Sequence, residues 1–420
     1  MNPAASNVLP DDCFLHDRDR LRHDEALALI DERVRCMTRV EEGEVPLDAM
    51  VGRVTAEAFL APRSVPAHDN AAVDGYAYAH ADGPKWRSVT LRVAAGDAPP
   101  PLPPKSAARI FTGAPMPQGA DTVAMQEDCV REGERVRVPD LRVGANCRRE
   151  GEDVAAGSPI LSAGERVTTR DIAALAASGL AASRMRERVR VAIMSNGSEL
   201  LAPGAPFRPA GVYDSNRPML ASILASFGCE VSVLPTLPDD EPAIRTALAG
   251  AARENHLVVT SAGASRGEED HVLGALDALG RRHLWQLAVK PGRPMMMGQI
   301  GDCVVVGLPG NPVAAFVCAL LYLRPIVGRL SGAPFAEPAR FPLPAGFSLT
   351  SKPDRREFLR GRLKRESDEV SVEKFARDGS GLISSLRWAE GLIEVAEETT
   401  RIERGDPVAF IPFSEFLFSI

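Results

Sequence analysis

Four short loops carry the residues whose types and spacing could do chemistry. In the first loop, KPGRP, Lys290 and Arg293 flank a Pro-Gly turn. The second loop, GLPGNP at 307–312, follows a strand that we expect to be buried. Residues 195–200 (SNGSEL) and 263–270 (GASRGEED) combine Gly and Ser with carboxylates. Long cations on a rigid turn suit anion capture, and backbone N–H groups at the start of a helix can hold phosphate. Together the loops predict a site for a phosphate-containing anion.

Each loop also has an ordinary structural explanation when it is taken singly. Gly and Ser are common in turns, and Glu199, Asp270 and Asn311 could each cap a helix. In PDDEP, either Asp239 or Asp240 could be the residue that caps the following helix. Turn chemistry does not explain why four such loops should meet at one edge of a sheet.

A segment rich in short alternating apolar runs contains two further polar stretches. PAHDNAAVDGYA at 66–77 includes Asp69, and RIFTGAPMP at 109–117 includes Thr112. Asx-turns alone would account for Asp69 and Asp74. These stretches therefore become candidate site residues only if another observation connects them with the four loops.

The elements that must position these loops predict a multidomain α/β plus β protein of 420 residues. Within the predicted α/β domain, strand-like runs such as VRVAIM and HLVVTSA alternate with helical stretches, which is typical of a mostly parallel sheet. Ligands bind beyond the carboxyl ends of such strands. The predicted divisions are a flexible leader at 1–22, a helical segment at 23–50 and 145–180, a β-rich domain at 51–144, the α/β domain at 181–330 and a β-barrel or sandwich at 331–420.

Composition excludes several other classes of protein. The formal net charge of −7 argues against nucleic-acid binding through global basicity. Seven scattered cysteines with no C-x-x-C spacing argue against a disulfide framework or a thiolate zinc site. The acidic N-terminus lacks the apolar stretch of a signal peptide, and the longest apolar run, 312–323, is shorter than a membrane span. We expect a cytoplasmic protein without a membrane partner.

The motifs read together resemble the molybdopterin molybdenumtransferase family, which is related to the E-domain of gephyrin. The resemblance runs from about His23 to the C-terminus, in the family's motif order. It is carried by PAHDNAAVDGYA, RIFTGAPMPQGADTVAMQED, REGEDV, SNGSEL, VYDSNRPML, TSAGASRGEED, VKPGRPMMMG, GLPGNPVAA and FLRGRL.

The resemblance implies an enzyme that inserts molybdate into adenylylated molybdopterin and releases AMP with the help of Mg²⁺. It also implies a three-layer α/β molybdopterin-binding domain, a β-rich domain, a C-terminal β-barrel and a discontinuous helical dimerisation segment. In the implied homodimer, the cleft lies between the α/β domain of one subunit and the β-rich domain of the other. The resemblance also implies the adenylyltransferase of the same pathway as a protein partner.

The resemblance and the loops together give the expected site. The expected catalytic residues are Asp69, Thr112, Glu199, Asp270, Lys290 and Arg293. The expected ligand-binding residues are Ser195, Gly197, Gly263, Ser265, Gly267, Pro309, Gly310, Asn311, Arg360 and Ser380. The expected Mg²⁺ ligands are Glu199, Asp239 and Asp270, because Mg²⁺ takes a few carboxylates plus phosphate oxygens.

Four positions depart from the family pattern. Arg293 stands where Lys is common, Ser198 replaces a carboxylate, Ala314 replaces a hydroxyl, and Ala262 replaces a glycine. These departures leave two alternatives open beside the leading interpretation. One is a molybdopterin adenylyltransferase, which shares the α/β domain, and the other is a non-catalytic molybdopterin-binding scaffold.

Overall fold

The computed structural model describes residues 20–37, 40–262, 271–366 and 369–416. Most of the predicted leader therefore lies outside the described residues. The first helix, His23–Arg35, forms where apolar side chains recur every three or four residues, and these side chains are buried. Its N-terminus is closed by Glu25, whose carboxylate accepts a hydrogen bond from the backbone N–H of Arg22 at 2.8 Å.

The segment predicted as helical combines helices with paired strands. Helix Thr169–Ala177 is present, and Asp171 accepts hydrogen bonds from both the N–H and the hydroxyl of Thr168 at its N-terminus. Sequence analysis missed the strand Glu42–Pro46, which pairs antiparallel with Ala182–Arg186. Chain segments that are far apart in sequence thus form one small unit. Its other short elements are Leu47–Ala49, Phe59–Leu60 and Pro159–Leu161.

The β-rich domain is built on one six-stranded sheet. The register pairs Gly75 with Ile110, so the chain around Asp74 and Thr112 emerges at one end of this sheet. A short pair, Asn70–Ala71 with Cys147–Arg148, lies beside it. In spatial order the six strands are Thr122–Met125, Gly75–Tyr78, Ser106–Ile110, Trp86–Val93, Arg135–Arg137 and Val130–Glu132.

The α/β domain has the predicted central sheet with helices on both faces. Val191 and Ile193 pack with helix Asn216–Ser226 on one face, whereas Ala192 and Met194 pack on the other face. That second face is covered by helices Glu241–Glu254 and His271–Leu279. In spatial order the first four strands, all parallel, are Glu230–Val233, Arg190–Ser195, Leu257–Ser261 and Cys303–Leu308. Met296–Ile300 follows and runs antiparallel to them, and Arg281–Trp285 pairs antiparallel with Met296–Ile300 and so runs in the direction of the first four.

The last helix of this domain is longer than the apolar run in the sequence. It runs continuously over Pro312–Leu330, with one π-helical turn at Ala319–Leu323, and has a mean hydropathy of 1.7. By length and composition alone its 19 residues could cross a membrane, so the length argument made from the sequence is wrong. Most of the helix is buried inside the protein, as expected for the core helix of a soluble domain.

The C-terminal domain is a mostly antiparallel sheet joined to the α/β domain by strand pairing. The two-residue strand Val289–Lys290, which precedes the last α/β strands, pairs in parallel with Arg356–Glu366. The sheet continues through Gly391–Val395, Pro407–Pro412 and Phe341–Pro344, with Glu369–Lys374 paired to Arg356–Glu366. Closure of this sheet into a barrel stays a prediction. The remaining short elements are Leu349–Thr350, Arg401–Ile402, Ser384–Trp388 and Phe413–Phe416.

Candidate functional site

A cavity of about 440 Å³ lies where the α/β and C-terminal domains meet, and we call it the anion pocket. Two loops predicted from the sequence, 290–294 and 309–311, line it from the α/β side. The C-terminal domain contributes cations and a hydroxyl to the opposite wall. The polar and charged lining residues are Arg20, Lys290, Arg293, Asn311, Arg355, Arg360, Asp378 and Ser380.

Arg360 brings a charge to the pocket from a buried position. Only 5% of the residue is exposed, and its guanidinium donates hydrogen bonds to the Ser385 hydroxyl at 3.1 Å and the Gly379 carbonyl at 3.3 Å. Burial lowers the pKa of Arg360, but a guanidinium remains charged in proteins. A fixed, poorly hydrated cation is the kind of group that binds an oxyanion strongly.

Lys290 is fixed by an acidic residue that sequence analysis did not single out. Its ammonium donates a hydrogen bond to Glu357 at 3.0 Å, and Arg355 donates to the same carboxylate. Burial tends to raise the pKa of the Glu357 carboxyl, but the hydrogen bonds from Lys290 and Arg355 outweigh it and lower that pKa. Glu357 therefore stays ionised between two cations of the pocket wall. The sequence places Glu357 in REFLRG, which overlaps the matched FLRGRL string, so the residue could have been singled out.

The KPGRP turn requires glycine at its centre. Gly292 has a φ of +123°, and a Cβ atom at this position would lie 2.3 Å from the Cys318 sulfur. Any larger residue would push the turn away from the helix beneath it. The Lys290–Pro291 peptide bond is cis. Arg293 is exposed, and its carbonyl accepts hydrogen bonds from Leu287 and Met295, which anchor the turn.

The GLPGNP loop closes the floor of the pocket. Asn311 occupies the N-cap position of the last α/β helix, but its side chain makes no capping hydrogen bond, so the capping explanation is wrong for this side chain. Instead, the Ser380 carbonyl accepts a hydrogen bond from the N–H of Val313 at 3.0 Å. The predicted residues Pro309, Asn311 and Ser380 thus all lie at the pocket.

At the carboxyl edge of the parallel sheet, Asp239 fixes the SNGSEL loop by hydrogen bonds. Its two carboxylate oxygens accept hydrogen bonds from the Asn196 amide at 3.0 Å and the Ser198 N–H at 2.9 Å. Asp240, not Asp239, caps the next helix by accepting from the N–H of Ala243. Gly197 has a φ of +148°, and a Cβ atom at this position would lie 2.7 Å from a carboxylate oxygen of Glu199.

Several predicted residues lie outside the described part of the chain. These residues are Gly263, Ser265, Gly267 and Asp270. Among the described residues, no three His, Cys, Asp or Glu side chains converge in a geometry that could hold a metal ion. The expected Mg²⁺ set of Glu199, Asp239 and Asp270 therefore stays a prediction. Its chemistry still fits, because carboxylate oxygens are ligands that Mg²⁺ prefers.

Buried polar atoms without partners mark a second part of the same sheet edge. Asn216 donates from its amide nitrogen to the Ser261 hydroxyl at 2.9 Å and the Gly310 carbonyl at 2.7 Å. The amide oxygen of Asn216 and the hydroxyl of Ser195 are buried with no hydrogen-bond partner among the described residues, whereas the buried Oδ2 of Asp214 has only an ion pair with the Arg217 guanidinium at 3.5 Å. Unpaired buried polar groups are rare and costly, so they indicate a ligand that supplies the missing partners. Asp214 and Asn216 were missed as site residues, although they lie in the matched VYDSNRPML string.

Asp69 and Thr112 lie in the β-rich domain and do not line the anion pocket. The Asp69 carboxylate accepts hydrogen bonds from Arg149 at 2.6 Å and from the N–H of Glu150 at 2.8 Å. Partial burial tends to raise the pKa of Asp69, but these two donors outweigh it and lower that pKa. Thr112 donates its N–H and its hydroxyl to Asp74, both at 2.8 Å, which lowers the pKa of Asp74. Both carboxylates are thus ionised at neutral pH.

Comparison with known proteins identifies the family. Three family models match successive parts of the chain: "MoeA N-terminal region (domain I and II)" at 21–179, "Probable molybdopterin binding domain" at 192–329 and "MoeA C-terminal region (domain IV)" at 342–413. The crystal structure of a molybdopterin biosynthesis MoeA protein from Pyrococcus horikoshii is 26% identical, with a TM-score of 0.80 over 94% of this chain and 100% of that chain.

Two curated relatives extend the match over nearly their full length. A molybdopterin molybdenumtransferase of Haemophilus influenzae is 33% identical over 88% of this chain and 94% of its own. Molybdopterin molybdenumtransferase 2 of Mycobacterium tuberculosis is 34% identical over 86% of this chain and 92% of its own. The chain therefore belongs to the molybdopterin molybdenumtransferase family, enzymes of molybdenum cofactor biosynthesis.

Proposed function

We propose that this enzyme inserts molybdate into adenylylated molybdopterin and releases AMP in a Mg²⁺-dependent reaction. The observation that carries the proposal is the anion pocket, where Lys290, Arg293 and Arg360 line one cavity together with Ser380. Molybdate is a tetrahedral dianion, and converging ammonium and guanidinium groups bind such anions by charge-assisted hydrogen bonds. Because the chain has a formal net charge of −7, this local concentration of cations is more significant.

The sheet edge supplies a place for the pterin and the phosphoanhydride. Asn216 and Ser195 offer unpaired buried polar atoms that the heterocycle or phosphate of the substrate would satisfy. Glu199, Asp239 and Asp270 would hold Mg²⁺, which offsets negative charge as a phosphoanhydride breaks. Within this arrangement, the pocket cations bind and orient molybdate, and the sheet edge orients the second substrate.

We also propose that the active form is a homodimer. Asp69 and Thr112 are expected site residues, yet within one chain they do not line the anion pocket. A second subunit that places its β-rich domain over the sheet edge would bring them to the substrate. This arrangement also gives the ionised Asp69 carboxylate a position near the metal rather than near the cationic pocket.

The proposed reaction is tested by supplying adenylylated molybdopterin, molybdate and Mg²⁺ and measuring AMP release. We expect Lys290→Ala to lower the rate by about tenfold or more, since it removes one charge-assisted hydrogen bond to the anion. Lys352→Ala is the matched control, because Lys352 is an exposed lysine that does not line the pocket.

Two results would contradict the proposed reaction. One is no AMP release by the wild-type protein above the Lys290→Ala background, which would favour a scaffold. The other is formation of the adenylate from ATP and molybdopterin, which would favour an adenylyltransferase.

A further inference from the structure

Glu357 lies directly behind the wall of the anion pocket. Strand Arg356–Glu366 pairs with Val289–Lys290 in a register that sets Glu357 opposite Lys290. Only 3% of the Glu357 side chain is exposed, and the residue does not itself line the cavity. A buried carboxylate is costly unless it is fully paired, so its partners show why it is there.

Both oxygens of Glu357 are occupied by groups at the pocket. One oxygen accepts hydrogen bonds from two nitrogens of Arg355, at 3.0 and 2.7 Å, and lies 3.3 Å from the Ser351 hydroxyl. The other oxygen accepts from the Lys290 ammonium at 3.0 Å. Lys290 and Arg355 line the pocket, and 42% and 33% of their side chains are exposed. Glu357 therefore joins two partly exposed cations through one buried anion.

We propose that Glu357 is a positioning residue for oxyanion binding, which it serves by holding Lys290 and Arg355 at the pocket wall. A free lysine side chain has about 2 kcal/mol of rotamer entropy to lose on binding, and two neighbouring cations repel each other. The Glu357 carboxylate lowers both costs. It orders the Lys290 ammonium before the anion arrives, and its negative charge offsets the repulsion between the two cations. The inference rests on the proposed function of the same pocket, with molybdate as its ligand.

A purely structural role for Glu357 is the competing explanation. The ion pair also connects the α/β and C-terminal domains, so a residue with only a structural role would affect protein stability and leave the affinity for molybdate unchanged. A structural role and a positioning role therefore differ in two measurable properties, the reactivity of the Lys290 amine and the affinity for molybdate. Glu394→Gln is the matched control. Glu394 is a buried carboxylate of the same sheet, 8% exposed and paired with Arg340 and Arg356, and it does not line the pocket.

The experiment compares Glu357→Gln, Lys290→Ala and the double variant with wild type. Acylation of Lys290 by an N-hydroxysuccinimide ester is followed by mass spectrometry, and molybdate binding is followed by calorimetry. We expect Glu357→Gln to acylate severalfold faster at Lys290 and to bind molybdate about tenfold more weakly, the loss expected for one charge-assisted hydrogen bond. Because Glu357 acts partly through Lys290 and partly through Arg355, the double variant should lose less affinity than the sum of the two single losses.

The two readouts separate this inference from the proposed function. If Lys290 acylation is as slow in Glu357→Gln as in wild type, or if Glu394→Gln changes both properties equally, the positioning role is overturned. Tighter molybdate binding by Glu357→Gln would overturn it as well. If wild type fails to bind molybdate while Lys290 acylation still rises, the proposed function fails, and of this inference only the positioning of Lys290 by Glu357 stands. Should Glu357→Gln not fold, Glu357→Asp keeps the buried charge but shortens its reach, and the same two changes are expected.

Discussion

At the scale of single residues, Ala262 shows how a departure from the family pattern alters the site. It follows strand Leu257–Ser261 and has a φ of +77°, a conformation that L side chains with a Cβ adopt at a cost of about 1 kcal/mol. Its N–H is held by the Leu308 carbonyl, and its carbonyl accepts from the Thr260 hydroxyl. The neighbouring strands thus hold the residue in a conformation that glycine would adopt more easily.

We expect Ala262→Gly to raise the free energy of unfolding by about 0.5–1 kcal/mol, since the strain removed exceeds the extra entropy of glycine in the unfolded chain. Chemical denaturation measures the change. Ala210→Gly is the matched variant, because Ala210 also has a positive φ, of 61°, but lies in an exposed loop. A similar gain in both variants is expected. A loss of stability in Ala262→Gly alone would mean that the Ala262 methyl group provides packing that outweighs the strain.

At the scale of elements, helix His23–Arg35 is locked to the last α/β helix through a buried histidine. His23 is 1% exposed, and its ring Nδ1 lies 2.9 Å from the Tyr322 hydroxyl. The ring also packs edge-on against Phe358 of the C-terminal domain. Burial, reinforced by the nearby Arg356 charge, lowers the pKa of His23 to about 3. The first helix is therefore docked around an imidazole that must stay neutral.

This histidine makes stability depend on pH below 7. The unfolded chain binds a proton at His23 as the pH falls through about 6.5, whereas the folded protein does not until about pH 3. Acid therefore favours unfolding, and wild type should lose about 2 kcal/mol more between pH 7 and pH 5 than His23→Gln, which has no proton to bind. Denaturation curves at the two pH values give the difference. His68→Gln, at an exposed histidine, should retain the wild-type pH dependence; equal slopes for wild type and His23→Gln would contradict the argument.

The elements also show what the sequence could and could not predict. The alternation of strand-like runs with helical stretches in the α/β domain was predicted from the sequence, and the structure confirms it, with helices such as Asn216–Ser226 and Pro312–Leu330. The pairing of Glu42–Pro46 with Ala182–Arg186 could not be predicted, because nothing local specifies a partner far along the chain.

The same reasoning separates the two halves of the candidate site. Lys290 and Arg293 were found because a Pro-Gly turn between cations is a local signal. Glu357 was missed because its importance depends on a register between two strands from different domains. The two-residue strand Val289–Lys290 is too short to show any periodicity of its own.

At the scale of the whole molecule, ion pairs join segments that are distant in the sequence. Arg356 donates to Asp24 of the first helix at 2.8 and 2.9 Å, and to Glu394 and Glu397 of its own domain at 2.9 Å. Glu394 and Glu397 are nearly buried, so removing Arg356 would leave two buried carboxylates without this partner and would cost more than breaking an exposed pair. None of these four residues lines the anion pocket, although Arg355, the neighbour of Arg356, does. The network therefore fixes the first helix to the C-terminal domain beside the pocket.

The proposed homodimer predicts that two impaired variants can complement each other in a mixed dimer. If each site combines the anion pocket of one subunit with Asp69 of the other, then Asp69→Asn and Lys290→Ala damage the same site from opposite subunits. In a mixed dimer, one site carries both substitutions and the other carries neither. Two variants that are each strongly impaired alone should thus rise to about a quarter of wild-type AMP release when they are unfolded and refolded together at equal concentration, because half of the dimers are mixed and each has one intact site.

The control for this complementation is a pair of variants whose substitutions both lie in the anion pocket. Lys290→Ala mixed with Arg360→Ala leaves every site in a mixed dimer with one defective pocket, since both residues belong to the same cavity. That mixture should stay at the background of the single variants. Recovery in the control pair, or none in the Asp69→Asn and Lys290→Ala pair despite light-scattering evidence of mixed dimers, would place the whole site within one subunit. Asp69 would then have to approach the pocket by a movement of the β-rich domain in its own chain.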